Sequence, residues 1–282
     1  MGGIVSRLCS FGERPIRRPP PPPLGCQNEV VVCESHIGIP KNMSLCIRRR
    51  RLNVVLEGII SVGKSELLNH CAEKHHGLFN IFPEPVETWK AYGPTKVNML
   101  DRFYRSPSTQ AFAFQRMILQ SRLHAFDEIE TSSPASSLSI RMRLFERSLD
   151  STYFVFSLLL FNGGFLSWQE YRYLRQMNEC ANSLYRPDVV IYLECDPVVA
   201  YRRLRRRNRP EEAGVSVVYL SELSKYYEAW IREIEKTREC SVVRLNANAN
   251  LENVLLHFDL VLLPDLICRS EIYDMLLSAD GV

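Results

Sequence analysis

The 282 residues are 46% apolar and 24% charged, enough to bury a full core in one globular domain. No run reaches the roughly 18 apolar residues of a membrane span, and the nine cysteines are scattered without a Cys-x-x-Cys pair, so they read as reduced intracellular thiols rather than as a cysteine zinc site or disulfide frame. The formal charge of +3 is uneven: residues 1–51 carry nine Lys/Arg against three Asp/Glu and the remainder 26 against 29, which argues against a nucleic-acid partner for the body.

Residues 1–51 contain the proline run Pro19 to Pro23 and the arginine run Arg48 to Arg51, without a sustained hydrophobic period, and read as an extended basic arm. Its start, Met1-Gly2-Gly3-Ile4-Val5-Ser6, fits the myristoylation pattern at Gly2, and Cys9 is close enough for palmitoylation. The expected location is cytoplasmic with membrane association through this arm. The Arg-rich composition leaves a mitochondrial or nuclear address as the alternatives.

From Leu52 the texture changes to alternating strands and helices. Leu52 to Glu57 is a β-branched apolar run, and Gly58-Ile59-Ile60-Ser61-Val62-Gly63-Lys64-Ser65 follows it directly. Glu66 to Lys74 then reads as a helix with Leu67, Leu68 and Cys71 on one face. A strand, a glycine-bounded loop and a helix in that order form a phosphate-binding loop: backbone N–H groups reach phosphate oxygens, Lys64 reaches the β- and γ-phosphates and Ser65 ligates Mg²⁺. An ordinary Gly-rich turn is the alternative.

Further along, Leu78 to Phe82 reads as a strand, Thr109 to Ile129 as a helix, Thr131 to Ile140 as a Ser-rich loop and Met142 to Phe145 as a strand. Ser148 to Leu160 and Trp168 to Leu184 read as helices, Val189 to Glu194 as a strand and Pro197 to Arg206 as a helix. A helix over Leu220 to Arg238 and a strand over Ser241 to Leu245 complete the pattern. Such alternation predicts an α/β fold, a parallel sheet flanked by helices, with ligands at the carboxyl ends of the strands.

Three further segments fall at those strand ends or near them. Glu84-Pro85-Val86-Glu87-Thr88-Trp89 offers a carboxylate able to take a proton from an attacking hydroxyl, and an indole to line a ring pocket. Phe145-Glu146-Arg147-Ser148 puts an acid and a base at the same sheet edge, where a structural ion pair is the competing reading. Arg203, Arg207 and Arg209 can close over a transferring phosphoryl group, although a solvated basic helix reads equally well and the pair Glu211-Glu212 would repel a polyanion.

Together these segments, in this order, resemble the deoxyribonucleoside kinase family over about Leu52 to Asn253, through its E-P-V-x-x-W, F-Q, E-R-S and R-x-x-x-R-x-R-x-E-E elements. The resemblance implies a P-loop kinase three-layer fold with an Arg-rich lid, and transfer of a phosphoryl group from ATP or another nucleoside triphosphate, with Mg²⁺, to the 5′-hydroxyl of a deoxyribonucleoside. It implies that Glu84 deprotonates that hydroxyl with support from Arg147, that Glu146 and Ser65 hold Mg²⁺, and that Arg203, Arg207 and Arg209 form the lid. Tyr104 and Glu212 match the residues holding the 3′-hydroxyl. Phe114 and Phe156 match the aromatic pair around the base, with Val86 and Trp89 beside it, and Gln115 matches the amide that reads the base edge. A homodimer is implied as well. The implied organisation is an arm over 1–51, a kinase domain over 52–258 and an extension over 259–282.

Several positions depart from the family pattern. Glu66 stands where a hydroxyl residue is usual, Val62 replaces a small residue, Ile59 often corresponds to Asn, and Asn246-Ala247-Asn248 replaces a more acidic stretch. Arg122 matches one half of an Arg–Asp pair that contacts the base in cytosine- and purine-type pockets, but the position of its acid holds Thr152, and Ile118 adds bulk on the same helix face. A guanidinium buried without a carboxylate is costly. The expectation is therefore a relaxed, pyrimidine-leaning pocket with Arg122 turned partly to solvent. A thymidylate-type monophosphate kinase and a non-catalytic, membrane-tethered nucleotide-binding protein are the alternative functions.

Overall fold

The computed structural model describes residues 51–132 and 142–279. Gly2, Cys9 and the rest of the basic arm through residue 50 lie outside the described residues, as do positions 133–140 of the Ser-rich segment and residue 141 after it. Thr131 and Ser132 end the preceding helix.

Five strands form one sheet: β1 Leu52–Glu57, β2 Phe79–Phe82, β3 Met142–Glu146, β4 Val189–Glu194 and β5 Ser241–Asn246. Their spatial order is β2-β3-β1-β4-β5, and every pairing is parallel. The central strand β1 is buried along its whole length, as an apolar run covered on both faces requires. This order sets the carboxyl ends of β1, β3 and β2 side by side, so the residues following each strand converge.

The connecting helices are α1 Lys64–Lys74, α2 Val86–Lys90, α3 Met99–Arg105 and α4 Pro107–Ser132. Next comes α5, in which Leu149–Ser151, a π-helical segment Thr152–Ser157 and Leu158–Asn162 run on as one helix. Three more follow: α6 Trp168–Tyr185, α7 Pro197–Arg207 and α8 Val217–Thr237. The last, α9, joins Leu251–His257, a second π-helical segment Phe258–Leu262 and Leu263–Ala279. Side chains close the helix starts: Ser167 and Glu170 form a reciprocal capping box on α6, Asp196 caps α7 and Ser216 caps α8.

The sequence pattern locates all five strands and the helices α1 and α4 to α8. It does not show α2, α3 or α9. The first two are short, and their periodicity is hidden in loops rich in Pro, Gly and polar residues. The boundary expected at residue 258 falls inside α9, whose Phe258, Leu262, Leu263 and Leu266 are all buried in the core.

Gly58, directly after β1, has φ 141°, and a Cβ there would sit 2.7 Å from the Leu193 carbonyl oxygen on β4. Both the backbone angle and the close approach of two strand ends require glycine. Gly58→Ala is therefore expected to lower the unfolding free energy by about 1–3 kcal/mol, measured by urea denaturation. An unchanged midpoint and slope would mean that the loop adapts freely.

Candidate active site

A cavity of about 1300 Å³ opens at the carboxyl ends of the strands. Residues of the loop between β1 and α1 line one side of it, Trp89, Phe114 and Phe156 another, and arginines of α7 the rim. It thus brings together the segments that the sequence distributes along the chain.

The loop wraps the start of α1. Ser61 and Gly63 have φ of 62° and 113°, as a tight turn around an anion needs. Ile59 and Val62, the two bulky departures, are buried and face the core. Glu66 is exposed in the first turn of α1 and borders the cavity. Lys64 is buried, and its Nζ donates to the carbonyls of Gly58 and Ile59 at 3.0 and 2.8 Å. Burial, and then the nearby Arg147 charge, lower its pKa to about 7. Ser61 Oγ is buried with no hydrogen-bond partner among the described residues, and Ser65 Oγ donates to Glu146 Oε1 at 2.7 Å. A free hydroxyl in the loop, together with a hydroxyl and carboxylate pair of hard oxygens beside it, fits a polyphosphate carrying a hard divalent cation.

Beyond β2 stands Glu84. Arg122 Nη2 lies 2.5 Å from its Oε1, and Arg147 Nε 3.4 Å from the same oxygen. Burial alone would raise the carboxyl pKa; the charges of Arg147, Arg122, Lys64 and Arg209 outweigh it and hold the group below the ordinary glutamate range. Here the structure corrects the expectation for Arg122. Only 2% exposed, it does not turn to solvent: it takes Glu84 in place of the missing aspartate, and its Nη1 donates to the carbonyls of Glu146 and Arg147 at 3.2 and 3.1 Å. Thr152 instead donates from Oγ1 to the Ser148 carbonyl at 3.4 Å.

Arg147 holds a left-handed backbone with φ 64°, a costly conformation for a residue with a Cβ. Several contacts fix it. Its N–H donates to Leu56 O, its Nη1 donates to Gly58 O and to the Tyr227 hydroxyl, and its guanidinium lies 4.9 Å over the Phe156 ring. Tyr227 donates in turn to the fully buried Glu57, which also accepts from the backbone and hydroxyl of Ser148. Neither Glu57 nor Tyr227 stands out in the sequence, where one reads as the end of a strand and the other as one of several aromatics on a long helix.

The aromatic wall is built as a stack. Phe114 packs face to face on Phe103 at 4.6 Å and edge-on to Trp89, whose Nε1 donates to Ser121 Oγ at 2.7 Å. Phe156 faces it from the π-helical segment of α5, where Ser157 Oγ donates to Thr152 O at 2.8 Å and reaches Gln115 Oε1 at 3.5 Å. Val86, Tyr104 and Ile118 also line the cavity.

At the rim the three arginines expected to form the lid differ. Arg203 donates to the carbonyls of Val62, Ala247 and Ala249 at 3.1, 2.7 and 2.8 Å, and so ties α7 to the loop and to the turn after β5. Arg207 and Arg209 pair with the buried carboxylate of Glu212 at 2.5 and 3.2 Å. Glu212 therefore carries the arginines rather than opposing them, and Glu211 accepts from Asn98 at 3.0 Å.

A phosphate loop after the first strand, a held carboxylate facing it and arginines at the rim define a nucleotide-dependent phosphotransferase. A family model described as deoxynucleoside kinase matches residues 54–261. The chain belongs to the deoxynucleoside kinase family and phosphorylates deoxyribonucleosides from a nucleotide donor. It is 30% identical to a fowlpox virus protein described as "Probable deoxycytidine kinase" over 72% of this chain and 80% of that one. It is 26% identical to deoxycytidine kinase 2 of Gallus gallus, covering 77% and 89% of the two chains, and 26% identical to the mitochondrial deoxyguanosine kinase of Xenopus laevis, covering 72% and 83%.

Tyr227→Phe removes one partner from Arg147 and one from Glu57, both buried. It is expected to cost about 1–3 kcal/mol in thermal or urea unfolding, and no loss would show that the hydroxyl is dispensable to the network.

Proposed function

We propose that this cavity transfers the γ-phosphoryl group of ATP, or another nucleoside triphosphate, to the 5′-hydroxyl of a pyrimidine-leaning range of deoxyribonucleosides. One observation carries the reading: a carboxylate kept ionised by two guanidinium groups stands across from the phosphate loop. The nucleoside lies between Phe114 and Phe156, with Val86, Trp89 and Ile118 at its edges, Gln115 reading the base and Tyr104 and Glu212 holding the 3′-hydroxyl. Since Arg122 is committed to Glu84, the amide of Gln115 is the principal base-edge reader, which suits cytosine and thymine alike.

Glu84 takes the proton of the 5′-hydroxyl as its oxygen attacks, and Arg147 orients the carboxylate and the sugar. Residues Gly58 through Ser65 cradle the donor phosphates, with Lys64 neutralising charge at the β- and γ-positions. Ser65 and Glu146 would hold Mg²⁺, which when bound would supply neutralisation of the donor's phosphate charge. Arg207 and Arg209 offset charge on the moving phosphoryl group, while Arg203 anchors their helix. Glu84 suits a neutral hydroxyl acceptor rather than a phosphate, so a nucleoside is favoured over a monophosphate.

The organisation we propose is an arm over 1–51, a kinase domain over 52–258 and a C-terminal extension over 259–282, assembled as a homodimer. The arm gives reversible membrane association through acylation at Gly2 and Cys9. A single myristoyl chain supplies an association constant of only about 10⁴ M⁻¹, so the second chain or the basic residues complete the attachment. Among the described residues no helix is long and apolar enough to cross a membrane.

If Glu84 is the base, Glu84→Gln lowers kcat by roughly 10²–10⁴-fold and leaves nucleoside triphosphate affinity nearly unchanged, as read by steady-state kinetics and equilibrium binding. Retained turnover in a folded variant would remove that role. The pH dependence gives a separate check. The base works ionised, so its depressed pKa places the acid limb of kcat/KM below the ordinary glutamate value of about 4.3. Losing the positive charge in Arg122→Met raises the pKa and moves that limb upward. A lower kcat/KM with the limb unmoved would assign Arg122 to packing alone.

A further inference from the structure

At the end of α1 remote from the phosphate loop, two imidazoles converge on one carboxylate. His70 Nε2 and His75 Nε2 lie 2.8 and 2.9 Å from the same oxygen, Oδ1 of Asp259. The ligand atoms of all three residues fall within 4.8 Å of one another. His70 belongs to the last turns of α1 and His75 caps it, while Asp259 sits in the π-helical segment Phe258–Leu262 of α9. None of the three lines the active-site cavity.

We propose that His70, His75 and Asp259 form a binding site for a divalent transition-metal ion of the zinc type, which clamps the phosphate-loop helix to α9. Two imidazole nitrogens and one carboxylate oxygen are a donor set that zinc accepts, whereas Mg²⁺ and Ca²⁺ prefer oxygen alone. Ligand atoms at about 2.0–2.2 Å from a tetrahedral zinc stand about 3.3–3.6 Å apart. The observed separations of 2.8 and 2.9 Å for the two His–Asp pairs, with every pair inside 4.8 Å, are near enough for ring rotations to close the site without backbone movement.

Exposure differs in the way such a site needs. His70 is 6% exposed in its side chain, whereas His75 and Asp259 are 19% and 23% exposed. The inner ligand is therefore fixed by packing, and the outer two leave an open side for entry and for water as a fourth ligand. A π-helical turn carrying one of the ligands is a further sign, since these irregular turns cluster at functional positions. Holding residues 70 and 75 to residue 259 also closes loops of 189 and 184 residues, and a metal clip across a long loop removes the most entropy from the unfolded chain.

The test uses the full chain, stripped by a chelator and then titrated with Zn²⁺ and separately with Co²⁺, beside His75→Ala and Asp259→Ala. Both substitutions lie on partly exposed side chains outside the catalytic cavity, and circular dichroism checks their fold; His75→Gln is the milder second variant. The proposal expects wild type to bind one more equivalent of Zn²⁺ than each variant, to show visible ligand-field absorption with Co²⁺ that the variants lack, and to gain thermal stability with Zn²⁺ where they do not. Kinase turnover with Mg²⁺ should be the same in all. Equal metal content and equal melting shifts across wild type and variants would overturn it: the bound metal would then belong to cysteines or to the active site, and the cluster would be two hydrogen bonds to an aspartate.

Discussion

The structure depends on holding Glu84, a partly buried carboxylate at the edge of the cavity, in its charged form. Partial burial favours the protonated acid unless the group is paired, and here two guanidinium groups meet one oxygen. Arg122 and Arg147 arrive from different elements, α4 and the turn after β3. Their common attachment makes the strand ends a single electrostatic unit, in which burial first and the Arg147 charge second lower the pKa of Lys64, while the charges of Arg147 and Arg122 outweigh burial at Glu84.

The fold supplies what this unit needs at some backbone expense. Arg147 sits in a left-handed conformation, and the hydrogen bonds that hold it there run through Tyr227 to Glu57, a carboxylate buried at the end of β1. One chain of contacts thus connects the strand that carries the phosphate loop, the helix α8 and the acid facing the loop. Arg203 performs a similar service at the rim by donating to the carbonyls of the loop and of the turn after β5. Position in the lid motif therefore does not make the three arginines alike: one is a strut, and two stand on Glu212.

Much of this was legible in the sequence. The phosphate loop is contiguous, so its glycines, Lys64 and Ser65 can be seen together, and each strand announces itself by an apolar run before a loop. The family motifs then locate Glu84, Glu146 and Arg147. What escaped is what depends on partners far apart in the chain. Thr152 correctly signals that the usual acid is missing beside Arg122, but nothing in the chain says that Glu84, 38 residues away, takes its place. The same holds for Glu57 with Tyr227, 170 residues apart. The pair Glu211-Glu212 reads as repelling a polyanion because charge patterning does not show that the Glu212 carboxylate is buried against Arg207 and Arg209. The helix α9 was invisible because its apolar residues are spaced around a π-helical turn, which breaks the ordinary period.

The central claim is that Glu84 is ionised in the free protein because Arg147 and Arg122 hold it so. The direct measurement is a pH titration of the Glu84 carboxyl carbon by ¹³C NMR in uniformly glutamate-labelled protein, with the signal assigned by its loss in Glu84→Gln. The account predicts a midpoint below the ordinary glutamate range in wild type and a higher one in Arg122→Met. A wild-type midpoint at or above that range would contradict it.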